Sequence, residues 1–169
     1  MKFAAIIIIS LVFSFYNLTN YPFVSVYDQV RDGGLNARQI FDGSIKSIFA
    51  YDRYDSHGLI IPAITSLFYP LFKNSVLTFR FPSALAGILD ILIIYYIVNK
   101  FIDKKAAFWS ALVLISLPLH LYYARTEFVV IFSTLITSLI LLFIAFFIKS
   151  KSLRSYSFLG LILGFSFGV

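Results

Sequence analysis

Long apolar segments separated by short basic ones are the feature that most constrains what this chain folds into. A helix that crosses a bilayer needs about 20 mainly apolar residues. Only 13% of the 169 residues are charged and 60% are hydrophobic, whereas soluble domains carry about 25% charged residues. We therefore predict an all-α, polytopic membrane protein with about five transmembrane helices. The five apolar segments are 3–18, 76–99, 106–124, 128–148, and one that begins near 153 and is still apolar at 169.

The positions of the lysines and arginines predict the orientation. The short segments before the first apolar run, between the second and third, and between the fourth and fifth hold seven basic residues against one acid. The long segment 17–75 holds five of each. By the positive-inside rule the short basic segments and the N-terminus are cytoplasmic, and 17–75 is an outer loop. The basic residues form no single patch, so no nucleic-acid partner is predicted.

The outer loop is predicted to contain interfacial helices. Residues 28–41 repeat apolar side chains at helical spacing, which indicates a helix lying along the membrane surface. Asp42 and Gly43 then form a turn signal. The stretch "HGLIIPAITSLFYPLF" is apolar but short and holds two prolines, so we interpret it as an interfacial or re-entrant helix and not as a sixth span. The chain is one membrane domain, residues 1–169, and it stops inside an apolar run, so we expect an N-terminal fragment of a longer protein.

Carboxylates in this loop are the first candidates for chemistry. Asp28 and Asp32 are four residues apart, on one face of a helix, where like charges repel slightly. One interpretation makes Asp28 a helix cap and Asp32 half of a solvated ion pair. The other makes them a proton acceptor or metal ligands at the membrane boundary. A second polar cluster, Asp52, Asp55 and His57, has either a solvated or a metal-binding interpretation. The chain has no cysteine, which excludes thiolate chemistry.

Two arginines and a glutamate are predicted at the same outer depth as these carboxylates. Arg80 opens the second apolar run, and Arg125 and Glu127 lie in the turn between the third and fourth. In one interpretation they anchor the chain at the membrane interface. In the other, the arginines bind a phosphate and the carboxylates act as acid and base. Asp90 lies near the bilayer centre, either as a packing contact or as a functional site. By depth, Ser116 is expected to be its hydrogen-bond partner in preference to His120.

Three stretches in this order carry a family resemblance. They are "YDQVRDGGLNARQIFDGS", "HGLIIPAITSLFYPLFKNSVLTFRFPSALAGILDILIIYYIVNKFI" and "AAFWSALVLISLPLHLYYARTEF". Their order and spacing resemble the N-terminal part of the GT-C glycosyltransferases of the protein mannosyltransferase and aminoarabinose transferase type. The resemblance implies transfer of a sugar from a polyprenyl-phosphate donor to an acceptor at the outer face of a bacterial or archaeal membrane.

The resemblance also implies roles for particular residues. Asp28 matches the family's catalytic aspartate, although glutamine follows it where the family often has glutamate. Glu127 matches the second acidic residue by position. Arg80 and Arg125 match recurrent arginines that meet the donor phosphate, and His57 matches part of a His-Pro-Pro pattern. The implied partners are the lipid-linked donor, an unspecified acceptor and membrane lipids; no cofactor follows, and a divalent metal stays open.

One alternative from another class stays open at this point. A non-catalytic membrane protein, such as part of a transporter or an assembly subunit, would use Asp90 as an intramembrane polar site. The position of the polar groups discriminates between the two, because a transport site lies at the midplane and a transferase site at the outer boundary.

Overall fold

A computed structural model describes residues 2–22, 34–47, 58–72, 76–126, 129–150 and 153–166. Over these residues the regular secondary structure is helical, which confirms the predicted all-α class. The helices are α1 (Lys2–Phe15), α2 (Ala37–Phe41), α3 (Ile60–Ser66), α4 (Tyr69–Phe72), α5 (Leu77–Phe101), α6 (Lys104–Ser116), α7 (Pro118–Arg125), α8 (Val129–Ser150) and α9 (Leu153–Ser166).

The described helices include two of spanning length and composition, α5 and α8. The pair α6 and α7 passes the same test together but is bent by 63°, so it makes a third span if it is one broken helix. The chain is thus a helical membrane protein, with two to three spans of sufficient length where the sequence predicts about five. The apolar part of α1, Phe3–Phe15, is shorter, and at 1.5 Å per residue it covers about 20 Å of a hydrocarbon core about 30 Å thick.

Pro118 breaks the third apolar run, which the sequence analysis treats as continuous. Leu117 is extended, with ψ of 114°, and Pro118 opens α7 at its first position. Proline disfavours helical geometry in the residue before it, and it is tolerated in the first turn because that N–H has no helical partner. The run therefore becomes two helices that meet at an angle.

The central helix of the bundle is α5, which contacts α1, α6, α7 and α8. Small residues on α5 allow close packing. A Cβ atom added to Gly87 would lie 2.5 Å from the Cβ of Ala124 on α7. Two apolar clusters surround α5: Ile61, Ala86, Ala124, Ile131 and Phe132 in one, and Ile6, Ile91, Ala111 and Ile115 in the other.

Basic residues lie at both ends of this bundle. Arg80 and Lys100 are 20 residues apart on α5, which separates them by about 30 Å. Arg125 lies at the same end of the bundle as Arg80, because both contact the same turn, described below. Lys149 lies at the same end of the bundle as Lys100, because its Nζ is 6.0 Å from the ring centroid of Phe101. We call these the arginine end and the lysine end.

Within the loop 17–75, the described helices are short. Asp42 and Gly43 end α2 as predicted: Gly43 has φ of 76°, and the amide of Ser44 donates to the Gln39 carbonyl at 2.8 Å. This is the Schellman arrangement, which favours glycine. The stretch 60–72 forms α3 and α4, neither of them long enough to span a membrane. Tyr69 connects them to the residues just before α2 by donating to the Gly34 carbonyl at 2.6 Å.

Candidate functional site

The end of α1 and the turn after it form the first half of the site. We call residues 16–22 the exit turn. The turn begins where Asn17 takes the left-handed conformation, with φ of 52°, which asparagine adopts more easily than most residues. Its carbonyl accepts the amides of Asn20 and Tyr21, each at 3.1 Å. Its side-chain oxygen accepts from Asn20 Nδ2 at 2.6 Å. The chain therefore turns sharply away from the helix axis.

Arg125, at the end of α7, satisfies carbonyls that α1 leaves without helical partners. Its Nη1 donates to the carbonyl of Phe13 at 2.6 Å and contacts that of Ser14 at 3.3 Å. Its Nη2 donates to the carbonyl of Tyr16 at 2.7 Å and contacts that of Tyr21 at 3.3 Å. The last carbonyls of a helix carry partial negative charge and need donors. The guanidinium fork supplies them from a distant part of the chain.

Arg80, in the first turn of α5, binds the rest of the exit turn. Its Nη1 donates to the Leu18 carbonyl at 2.9 Å and contacts the Thr19 carbonyl at 3.4 Å. Its Nη2 donates to the Pro22 carbonyl at 2.8 Å. The side chain is 2% exposed, and its buried Nε has no hydrogen-bond partner among the described residues. Arg80 therefore connects α5 to the turn at two points.

Two buried cations thus share one turn. Arg125 is also buried, at 8% exposure. Among the described residues, neither guanidinium has an acidic side chain within salt-bridge distance. Burying an ion is costly unless charges or dipoles compensate it. Carbonyl dipoles supply that compensation in the described part of the chain, and within that part the two guanidiniums carry a positive charge that favours an anion.

A groove of about 600 Å³ opens beside the exit turn, between α1 and α7. Its wall combines apolar side chains with phenol, amide and guanidinium groups. Such a surface accommodates a molecule that has both an apolar part and a polar, anionic part. The lining residues are Val12, Phe13, Tyr16, Asn17, Tyr21, Leu121 and Arg125.

Of the predicted site residues, Arg80 and Arg125 are brought together on one turn. Their contacts are with backbone carbonyls, and phosphate binding by them stays a prediction. Four further predicted residues lie outside the described ranges, so their roles also stay predictions. These are Asp28, Asp32, His57 and Glu127.

The exit turn itself is absent from the sequence-predicted site. Its functional atoms are main-chain carbonyls, which every residue carries, so no side chain marks them. Asn17 after an apolar run was the one available signal, because asparagine is a common residue just past a helix end.

A second polar cluster joins α5, α7 and α8 between the two ends. Asp90 Oδ2 is 3.1 Å from His120 Nε2, and Ser138 Oγ donates to Asp90 Oδ1. All three side chains are buried. The expectation of Ser116 as the partner is wrong, since Ser116 donates within its own helix. That expectation placed Arg125 at the depth of Arg80, whereas its neighbour Ala124 packs against Gly87, which lies seven residues further along α5.

The described residues contain no group of side chains suited to a metal ion. In this part of the chain, no three His, Cys, Asp or Glu side chains are grouped closely enough to hold a metal ion. The carboxylates for which a metal was proposed, including Asp28, lie outside it.

Comparison with known proteins gives one match. Residues 56–169 match the family model described as dolichyl-phosphate-mannose-protein mannosyltransferase. The match includes Arg80, Arg125, Glu127 and His57, and it begins after Asp28. No curated protein and no solved structure matches the chain.

Proposed function

The chain belongs to the dolichyl-phosphate-mannose-protein mannosyltransferase family, and we propose that it transfers a sugar from a polyprenyl-phosphate donor to an acceptor hydroxyl at the outer face of the membrane. The observation that carries this proposal is the family match, which covers 56–169 and makes the chain mannosyltransferase-like. The apolar spans support the proposal, because an enzyme that uses a lipid-linked donor has to lie at a membrane.

The arginine end supports this location for the donor. A polyprenyl phosphate has an apolar chain and an anionic head. The groove beside the exit turn offers apolar side chains such as Val12 and Leu121 together with the guanidinium of Arg125. Arg80 adds a second buried positive charge on the same turn. In a water-poor site, fixed cations stabilise the charge that develops on a leaving phosphate.

The lysine end supports the orientation. Lys100, Lys104, Lys105 and Lys149 are exposed, whereas Arg80 and Arg125 are buried. Exposed lysines beside apolar spans are typical of cytoplasmic segments. In this orientation the arginine end, with the proposed site, faces outward.

The proposed chemistry is a single displacement with inversion at the sugar. Asp28 acts as the base on the acceptor hydroxyl, and such a base works within about 3 Å of the proton it accepts. Glu127 is the second catalytic carboxylate, and Asp32 and His57 bind substrate. Because a phosphate is already a good leaving group, the site needs cations more than a strong acid. We assign that electrostatic role to Arg80 and Arg125.

The contacts of Asp90 support a packing role and no separate transport function. Its carboxylate is engaged by His120 and Ser138, so it connects three helices. Polar contacts between helices of this kind stabilise membrane bundles.

The test is transfer from dolichyl-phosphate mannose by the full-length protein in membrane vesicles, with a mixture of glycan, lipid and peptide acceptors. Asp28→Asn is expected to abolish transfer, because the amide cannot accept the proton. Asp42→Asn is the matched control, since Asp42 is exposed and pairs with Arg38 on α2. Full activity in Asp28→Asn would overturn the assignment of the base. Absence of transfer by the wild-type protein from this donor and from other polyprenyl-phosphate sugars would overturn the proposed reaction.

A further inference from the structure

We propose that Arg80 and Arg125 are positioning residues that fix the exit turn against α5 and α7, and thereby fix the position of Pro22, from which the chain continues to Asp28 and Asp32. This inference rests on the proposed function, in which Asp28 is the base. It gives the two arginines a role through the backbone, separate from contact with a phosphate.

The two arginines bind different parts of the exit turn, which supports this role. Arg125 binds carbonyls from the last turn of α1 through Tyr21, and Arg80 binds those of Leu18, Thr19 and Pro22. Both ends of the exit turn are therefore held. Each guanidinium presents a planar set of donors and bridges several acceptors at once, which an ammonium group on lysine cannot reproduce.

Side-chain packing does little to hold the exit turn. Tyr16 is 74% exposed, and Asn17, Thr19 and Asn20 are also exposed. Leu18 is the buried side chain of the turn. The contacts with the arginines join residues 58 to 62 positions apart for Arg80 and 104 to 112 apart for Arg125. Long-range hydrogen bonds from two side chains therefore determine the position of this turn.

The consequence for the proposed base follows from chain length. Asp28 lies six residues after Pro22, which a chain spans with at most about 20 Å. If the exit turn is released, Pro22 moves, and the short connection to Asp28 then starts from a different position. A misplacement of about 1 Å at a reacting group costs on the order of a hundredfold in rate. The terminal nitrogens of both arginines bind carbonyls, so the positioning role needs no phosphate in the site.

The first experiment measures the turn without any reaction. The chain has no cysteine, so a single introduced thiol gives a clean signal with a maleimide. Ser14→Cys places the thiol in the last turn of α1, where the side chain is 3% exposed, and Ser10→Cys is the matched control one turn earlier, at 0%. In Arg125→Gln, labelling at Ser14→Cys is expected to be about tenfold faster or more, because hydrogen bonds from a charged donor are lost. Labelling at Ser10→Cys is expected to stay unchanged, and Arg38→Gln, at an exposed arginine on α2, to have no effect at either position.

The second experiment separates positioning from phosphate contact. The positioning role predicts that Arg80→Lys and Arg125→Lys lower kcat on the order of a hundredfold, with the KM for dolichyl-phosphate mannose little changed. Loss of charge stabilisation on the leaving phosphate also lowers kcat, and loss of donor binding raises the donor KM, but both leave the labelling at Ser14→Cys unchanged.

Unchanged labelling in Arg125→Gln overturns the positioning role, whatever the kinetics show. A raised donor KM with unaltered kcat also overturns it. If the wild-type protein transfers no sugar while the variants still label faster, the proposed reaction is wrong, but the arginines do fix the exit turn.

Discussion

The two ends of the bundle use cations in opposite ways. At the arginine end, Arg80 and Arg125 are buried and donate to main-chain carbonyls. At the lysine end, Lys100 is exposed, donates to Tyr96 Oη at 2.8 Å and lies 4.4 Å from the ring centroid of Phe146. The charges at the arginine end are buried within the fold, and the charge of Lys100 at the lysine end is exposed and lies against aromatic rings.

This difference shows that a basic residue flanking an apolar run has more than one physical role. The lysines satisfy the positive-inside pattern, for which a solvated charge is sufficient. The arginines replace missing backbone hydrogen bonds at the end of α1, for which a rigid set of donors is needed. The type of cation and its burial distinguish the two roles, whereas the charge alone does not.

The largest expected effect comes from removing one cation at each end. Arg80→Ala removes the hydrogen bonds to the Leu18 and Pro22 carbonyls at 2.9 and 2.8 Å, and hydrogen bonds from a charged donor contribute about 1.5–3 kcal/mol each. We expect a loss of about 3 kcal/mol or more in the free energy of unfolding in detergent micelles. Lys100→Ala removes an exposed cation–π contact worth about 0.5–1 kcal/mol. Equal losses in the two variants would contradict the contrast between the ends.

A smaller effect is expected from the packing that holds the two arginines side by side. Gly87 on α5 lets α7 approach, and a methyl group there would lie 2.5 Å from the Cβ of Ala124. Overpacking of this kind costs about 1–3 kcal/mol, so Gly87→Ala is expected to lower the unfolding free energy by that amount. It should also speed labelling at Ser14→Cys, because Arg125 directly follows Ala124 and moves with α7.

The control for this variant is Gly160→Ala on α9, where an added Cβ meets nothing within 4 Å. Alanine is favoured over glycine inside a helix by about 1 kcal/mol, so this variant is expected to be neutral or slightly more stable. If Gly87→Ala were as stable as Gly160→Ala and left labelling at Ser14→Cys unchanged, the close approach of α5 and α7 would not determine the position of Arg125.

Local properties of the sequence predicted part of this fold well. The second and fourth apolar runs, 76–99 and 128–148, correspond to α5 at Leu77–Phe101 and α8 at Val129–Ser150. Length and hydropathy belong to the segment itself, so they can be read without tertiary information. The turn at Asp42 and Gly43 was predictable for the same reason, because its geometry depends on neighbouring residues.

Tertiary features were not predictable in this way. The sequence places Arg80 and Arg125 on one side of the membrane, but their partners are main-chain carbonyls, which have no residue-specific signature. The bend after Ser116 follows from Pro118, yet its effect on depth requires the angle between α6 and α7. Most site residues that the resemblance supplies, including Asp28, lie outside the described residues, so their positions stay predictions.

The smallest expected effect tests the cluster midway between the two ends. Ser138→Ala removes the hydroxyl that donates to Asp90, and polar contacts between membrane helices average about 0.6 kcal/mol. Ser116→Ala is the matched control, because Ser116 is exposed and donates to the Val113 carbonyl of its own helix. We expect the first variant to lower the unfolding free energy in detergent by about 0.6 kcal/mol, and the second to leave it unchanged. The reverse order would mean that Asp90 takes its partner from α6, as the count of depth along the sequence predicts.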